Sequence, residues 1–275
     1  MIVSKEQEIR TTLLVQSQSK SNSFFEVIGL CKSFGGIQAL NEVTFHIEEG
    51  KIFSLIGPNG AGKTTFINLV TGIFPPDKGE IFFRGENIAG LPARLITSKG
   101  IGRTFQLEEL FSSMTVLENV MMGCHARTRS GIFSCGFRIS SARKEEKLIR
   151  DEAMEHLQLV GLEKRCSQLI TTLPLGERKL VGIARALAMR PKFLLLDEPA
   201  GGLAAHEIEK LVNLLFMLLE AGLTLLIVEH NMPFIMSISH RVVVLDGGSK
   251  IAEGFPDEVK SNEKVIEAYL GKEIS

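Results

Sequence analysis

A chain of 275 residues with 44% apolar composition is long enough for one large domain or two modest ones, and it carries ample material for a core. Its formal charge of -1 excludes a global electrostatic bias toward nucleic acid or an anionic membrane, so any charged patch must be local. No apolar run approaches the roughly 20 residues that cross a bilayer, Lys5, Glu6, Glu8 and Arg10 break up the one candidate leader segment, and Cys31, Cys124, Cys135 and Cys166 form no C-x-x-C pair.

These features point to reduced thiols in the cytosol. Cys124, His125 and Cys135 match no zinc spacing and read as packing or loop residues. Residues 1 to 23 end in the polar "QSQSKSNS" and read as a flexible tail, with order starting near Phe24. Strands are then predicted at "FFEVIGL", "VTFHI", "KIFSLIG" and "GEIFFRGENI". "KIFSLIG" is apolar throughout, as a strand covered on both faces must be. From about Leu107 to Thr172 strand signals fade and a helical insertion is expected. Its plainest helix is "SARKEEKLIRDEAMEHLQLVGL", with Leu148, Met154, Leu157 and Val160 as the apolar face and Gly161 as the stop. Strand and helix then alternate through "FLLLD", "AAHEIEKLVNLLFMLLEAG", "TLLIV" and "RVVVLDGG". Such alternation implies an α/β fold with a parallel sheet and covering helices.

Between "IFSLI" and the helical "FINLVTG" lies "GPNGAGKTT", which fits G-x-x-x-x-G-K-[ST] with strand before and helix after. Each residue type has a physical task. Glycines 57, 60 and 62 let successive N–H groups converge on phosphate oxygens, and the following helix adds its positive end. Lys63 supplies a mobile charge for the β- and γ-phosphates, and Thr64 a hydroxyl for Mg²⁺. The expected nucleotide cradle is Gly57, Pro58, Asn59, Gly60, Ala61, Gly62, Lys63, Thr64 and Thr65. Phe34 is an aromatic face that could stack on a base, or an ordinary core phenylalanine.

"FLLLDEP" closes a buried strand with Asp197 and Glu198, where open α/β sheets place ligands. Two unpaired acids are costly to bury, which favours a cation or ligand beside them. Asp197 is expected to hold Mg²⁺, and Glu198 to orient or deprotonate the attacking water.

Taken in order, Phe34, the phosphate loop, "RTFQ" with Gln106, a helical insertion, "LPLGERKLVGIARAL", "FLLLDEP" and "LLIVEH" with His230 resemble the ATP-binding cassette family over nearly everything from Phe24 onward. The resemblance implies a P-loop NTPase fold: a RecA-like core with a parallel sheet, an antiparallel β subdomain and a helical subdomain inserted at about 107 to 172. It implies adenine stacking for Phe34, Mg²⁺ and water contact for Gln106, a general-base role for Glu198 and a γ-phosphate contact for His230. "GIGRTFQLEELFSSMTVLENVMMG", "EPAGGL", "IVEHNM" and "VIEAYLG" are most similar to the ATP-binding subunits of branched-chain amino-acid importers; lipopolysaccharide exporters share several of these strings.

That likeness implies an ATPase peripheral on the inner face of the membrane, dimeric with a second cassette, joined to a permease and served by an extracytoplasmic solute-binding protein, with no nucleic-acid partner. Family members clamp ATP between one subunit's phosphate loop and the other's L-S-G-G-Q-like signature. Here that signature is "LPLGE", residues 173 to 177, in which only Leu173 and Gly176 match. Pro174 removes a hydroxyl and an N–H, Glu177 is expected to bring a carboxylate near the partner's γ-phosphate, and Ala204 stands where the family has an acidic or amide residue. All three losses act on the partner's nucleotide, which implies a heterodimer of unequal sites. Seven basic residues between Arg127 and Arg150 read as a solvated face or a membrane or permease contact, and Phe105, Leu107 and Phe111 as core or as a permease groove. Two other functions fit parts of the chain: a soluble non-transport cassette, which would need a second cassette or long coiled coil, and a small-molecule kinase, against which the signature-like helix argues. An importer of another solute, such as urea, remains an alternative within the family.

Overall fold

The computed structural model describes residues 23–104, 110–125 and 139–270. The predicted tail, Gln106, and half of the basic run lie outside them. Among the described residues ten strands are formed: β1 (Phe25–Phe34), β2 (Ile37–Ile47), β3 (Ile52–Ile56), β4 (Lys78–Phe83), β5 (Glu86–Asn87), β6 (Ile101–Arg103), β7 (Phe193–Asp197), β8 (Thr224–Val228), β9 (Arg241–Asp246) and β10 (Ser249–Gly254). They make a four-stranded sheet in the order β2-β1-β4-β5 and a six-stranded sheet in the order β10-β9-β3-β8-β7-β6. The small sheet is antiparallel. The large one is parallel except for its edge strand β10. This is the P-loop architecture that the family resemblance implies.

The strand sequences explain the two sheets. In β2, Val43, Phe45 and Ile47 are buried while Thr44 and His46 are exposed, the period-two pattern of a sheet with one wet face. In β3, all five residues of "IFSLI" are buried, because helices or strands cover both faces. Alternate residues of the large sheet feed two separate cores. Ile52, Leu194, Leu196, Ile227 and Val244 share one core with residues of the later helices, among them Val120, Leu187, Leu215 and Ile235, whereas Phe53, Leu55, Leu195, Leu226 and Leu245 share the other with β1, β2 and helix α1 (Lys63–Val70).

After β4 and β5 the chain forms the short helix α2 (Ala93–Ser98), and between β6 and β7 it forms α3 (Val116–His125), α4 (Ile139–Leu159) and α5 (Leu175–Leu187). Thr115 opens α3 with a reciprocal cap: its hydroxyl accepts from Glu118 N–H at 3.2 Å, and Glu118 accepts from Thr115 N–H at 2.8 Å. That N–H bond, with a second donated by the Thr115 hydroxyl at 2.8 Å, holds the Glu118 carboxyl below its ordinary pKa. Leu148 is 69% exposed, so it does not belong to the core face of α4; Ile149, Ala153, Leu157 and the following Val160 do. Of the predicted face, Leu157 and Val160 are core and Met154 packs half-buried against it; Leu148 alone is displaced, its place taken by Ile149 one residue on. Helices α6 (Ala205–Glu220) and α7 (Met232–Ile238) follow β7 and β8, and α8 (Pro256–Lys260) and α9 (Glu263–Leu270) follow β10. Among the described residues no helix is long and apolar enough to cross a membrane.

Candidate nucleotide site

Parallel strands β3, β8 and β7 lie side by side, so the loops after them meet at one edge of the sheet. The loop after β3 owes its glycines to contact. Gly57 and Gly62 have φ of 153° and 100°, and a Cβ on either would collide with a carbonyl oxygen, that of Leu245 in β9 or that of Ala39 in β2. Ala61 N–H donates to Pro58 O at 3.1 Å and Gly248 N–H to Ala61 O at 3.3 Å, closing the turn onto the β9–β10 connection. Asn59 and Gly60 are exposed at its tip.

Lys63 begins α1 and is only 8% exposed. Its ammonium donates to Gly57 O at 2.6 Å and Pro58 O at 3.1 Å, so the charge lies across the loop at the positive end of the helix. An arrangement of this kind is able to hold a phosphate. Thr64 is exposed and Thr65 partly so, in the first turn of α1.

Asp197 ends β7. Its Oδ2 accepts from Arg103 Nη2 at 3.0 Å, with both side chains under one tenth exposed. The same guanidinium donates through Nη1 to Asn68 Oδ1 at 2.7 Å on α1. Arg103 thus ties the helix behind the phosphate loop to the carboxylate, compensating an acid that would otherwise be expensive to bury. Sequence reading missed this arginine, because its partners lie 35 and 94 residues away.

Glu198 follows with φ of 46°, a left-handed conformation unfavourable for a residue with a side chain. Its N–H donates to Val228 O at 2.8 Å, and its carboxylate is half exposed. His230, two residues beyond β8, places Nδ1 3.6 Å from Glu198 Oε1. The two residues singled out from separate strands therefore stand together.

Behind His230 is a residue the sequence reading passed over. Glu229 is fully buried, and its carboxylate takes three main-chain donors: Ala200 N–H at 2.8 Å, His230 N–H at 2.8 Å and Asn231 N–H at 3.2 Å. It fastens the turn after Glu198 to the segment carrying His230. The only available signal was an acid directly after the wholly apolar "TLLIV", which reads equally well as a turn.

Phe34 ends β1 at 41% exposure, with the Phe74 ring edge-on at 5.4 Å and the Lys32 ammonium 5.4 Å from its centroid. Asp77 anchors that lysine at 2.7 Å, and this bond, with a second from Ser33 N–H, holds the Asp77 carboxyl below its ordinary pKa. Phe34 is therefore a supported, accessible ring and not a core residue.

Pro174 caps the start of α5, and Glu177 lies in its first turn with Oε1 accepting from Arg165 Nη2 at 3.2 Å. The carboxylate is thus paired within its own chain. Ala204 caps α6, where Glu207 accepts its N–H at 2.8 Å. Phe105 and Leu107 of the suggested groove are outside the described residues, while Phe111 is 43% exposed. A cleft of about 460 Å³ is lined by Ile73, Arg94, Ile96, Arg103, His125 and Met189 among others. Among the described residues no group of three or more His, Cys, Asp or Glu side chains could hold a metal on its own. Magnesium takes one or two protein ligands together with phosphate oxygens, and the Thr64 hydroxyl in the first turn of α1 and the Asp197 carboxylate at the end of β7 are oxygen donors of that kind. Cys124 is buried in the helical core with its thiol directed at Ile149 O.

Residues 40–201 match the ABC transporter family and residues 249–274 the branched-chain amino acid ATP-binding cassette transporter family. The chain is 40% identical over 253 residues to the high-affinity branched-chain amino acid transport ATP-binding protein BraF of Pseudomonas aeruginosa, covering 92% of this chain and 99% of that one. A crystal structure of a nucleotide-free ATP-binding cassette from an ABC transporter superposes with a TM-score of 0.80 at 32% identity, covering 90% of this chain and 98% of that one. A dimeric bacterial ABC transporter cassette superposes at 0.73 with 29% identity, covering 84% and 98%. With the phosphate cradle, the acidic pair and the histidine assembled on one sheet edge, and with these likenesses spanning most of its length, the chain belongs to the ABC transporter family as one of its ATP-binding cassettes.

Proposed function

We propose that this cassette hydrolyses ATP to power uptake of branched-chain amino acids through a separate membrane permease. The observation that carries the catalytic half is the meeting of Glu198 and His230, 3.6 Å apart, at the sheet edge that also holds the phosphate loop. The substrate half rests on the likeness to BraF and on the match over residues 249–274.

In this reading the loop amides and Lys63 grip the β- and γ-phosphates, and Phe34 stacks on adenine. Glu198 accepts a proton from the water whose oxygen attacks the γ-phosphorus, as the bond to the β–γ bridging oxygen breaks and ADP leaves. His230 donates to the γ-phosphate from beside the base. Bound magnesium supplies charge that offsets the phosphate oxygens, and Thr64, Asp197 and Gln106 are the residues that would hold it.

The dimeric relative supports a two-cassette assembly, and the cleft beside Arg103 supports a permease element seated between α2 and the end of α3. The assembly would sit on the inner membrane face, fed by an extracytoplasmic binding protein. Pro174, Glu177 and Ala204 favour a heterodimer in which the ATP on this chain's own loop is the one hydrolysed faster. The test is ATP-driven uptake of labelled leucine, isoleucine and valine by the full transporter in proteoliposomes. Saturable uptake that Glu198→Gln abolishes is expected; transport of urea, or outward movement of lipopolysaccharide, would replace the substrate half.

A further inference from the structure

The left-handed peptide of Glu198 needs something to hold it, since conformations of this kind persist only when their surroundings over-determine them. Its N–H is taken by Val228 O at 2.8 Å. On the carbonyl side the turn itself offers only a long bond, from Gly201 N–H at 3.4 Å. The short bond comes from elsewhere: Lys179 Nζ donates to Glu198 O at 2.6 Å.

Lys179 stands on α5, two residues beyond the 173–177 signature segment and one turn on from Leu175, where the helix begins. Its side chain lies against the turn so closely that a Cβ on Gly201 would be 3.4 Å from the ammonium. Burial lowers its pKa below the ordinary lysine value, and the charges of Glu229 and Glu198 oppose that shift. A partly desolvated ammonium thus gives one of its donors to a single carbonyl, that of the residue whose carboxylate faces His230.

We propose that Lys179 is a positioning residue that fixes the Glu198 peptide, so that the signature helix of this chain sets the general base of the same chain. The inference rests on the proposed role of Glu198. Its consequence is a mechanical link: the first turn of α5 faces the partner's nucleotide in that reading, and the next turn grips this chain's own base. A shift of α5 as the dimer closes is felt at Glu198, so the two ATP sites are joined through one helix.

The experiment uses the assembled transporter with Lys179→Met, Lys179→Arg, Glu198→Gln and the Lys179→Met/Glu198→Gln pair. Lys179→Met is expected to lower kcat for ATP about tenfold or more, the order that misplacing a catalytic group costs, with KM for MgATP changed less than about twofold. Lys179→Arg, which keeps a donor in reach, restores most of the rate. In the Glu198→Gln background Lys179→Met adds no further loss of single-turnover hydrolysis, because both changes act through one carboxylate. Unchanged kcat in Lys179→Met, no rescue by arginine, or an equal loss in the Glu198→Gln background overturns the inference and leaves the proposed function standing. Parental hydrolysis in Glu198→Gln alone overturns the role of Glu198 and the inference with it.

Discussion

The two segments of this chain proposed to meet nucleotide in a dimer are built by different means. The phosphate-loop end is made of main chain, with glycines pressed against carbonyls of β2 and β9 and a lysine folded over its own loop. The signature end, at the start of α5, relies on side chains; there a proline replaces a hydroxyl and a glutamate is paired with Arg165. A site made of backbone tolerates almost no substitution, whereas a site made of side chains can drift while its helix stays in place. The difference explains how one chain can hold an intact binding motif and a degenerate one within a single fold.

Breaking the backbone-built end should have the largest effect. Gly57→Ala drives a methyl into the Leu245 carbonyl and is expected to abolish nucleotide binding and lower Tm by many degrees, and Lys63→Ala to remove ATPase activity with the fold retained; calorimetry with MgATP and circular dichroism separate the two. Next comes the base: Glu198→Gln should cut hydrolysis by about 10²–10⁴-fold while ATP binding persists and the closed dimer accumulates, seen by size-exclusion chromatography with ATP. Glu229→Ala leaves one buried and two partly buried N–H groups without their acceptor and should destabilise the chain by about 2 kcal/mol, read from denaturant unfolding.

The comparison is sharpened from the other side by rebuilding the signature. Pro174→Ser with Glu177→Gln should raise turnover of the ATP held on the partner's loop by up to about tenfold and leave this chain's own site unchanged, as site-resolved turnover in the assembled complex would show. Equal sites before the change would remove the asymmetry altogether. The smallest effect concerns acid. Ile52 N–H donates to His240 Nδ1 at 3.2 Å, and burial followed by the Lys51 charge lowers the pKa of this histidine below its ordinary value of 6.5. The unfolded chain therefore takes up a proton first as pH drops. His240 adds no penalty above pH 6.5, and stability declines from there down to the lowered folded value. His240→Ala should lose about 1 kcal/mol at neutral pH and flatten that decline in pH-dependent melting.

The fold was legible where composition alone decides. The runs "IFSLI", "FLLLD", "TLLIV" and "RVVVL" are apolar on both faces because both faces are covered, and each is a strand of the large sheet. Three-residue β6 was not legible: it lies between Gly100 and Thr104, includes Gly102, and exists through its ladder with β7. In the site, the motif glycines, Lys63, Asp197, Glu198 and His230 could be singled out because their spacing follows local strand-to-loop geometry. Arg103, Glu229 and Lys179 could not, because each is defined by a partner on another element. The orientation of Glu177 depended likewise on an arginine 12 residues upstream.

The wedging of Gly57 and Gly62 between two sheets has one more consequence. A loop already shaped by rigid walls gives up its conformational freedom when the chain folds, so little ordering is left to be done when a triphosphate arrives. Affinity at this end is therefore set early, in the folding of β2 and β9 around the turn, and mutations far out on those strands should weaken nucleotide capture without touching a single phosphate contact.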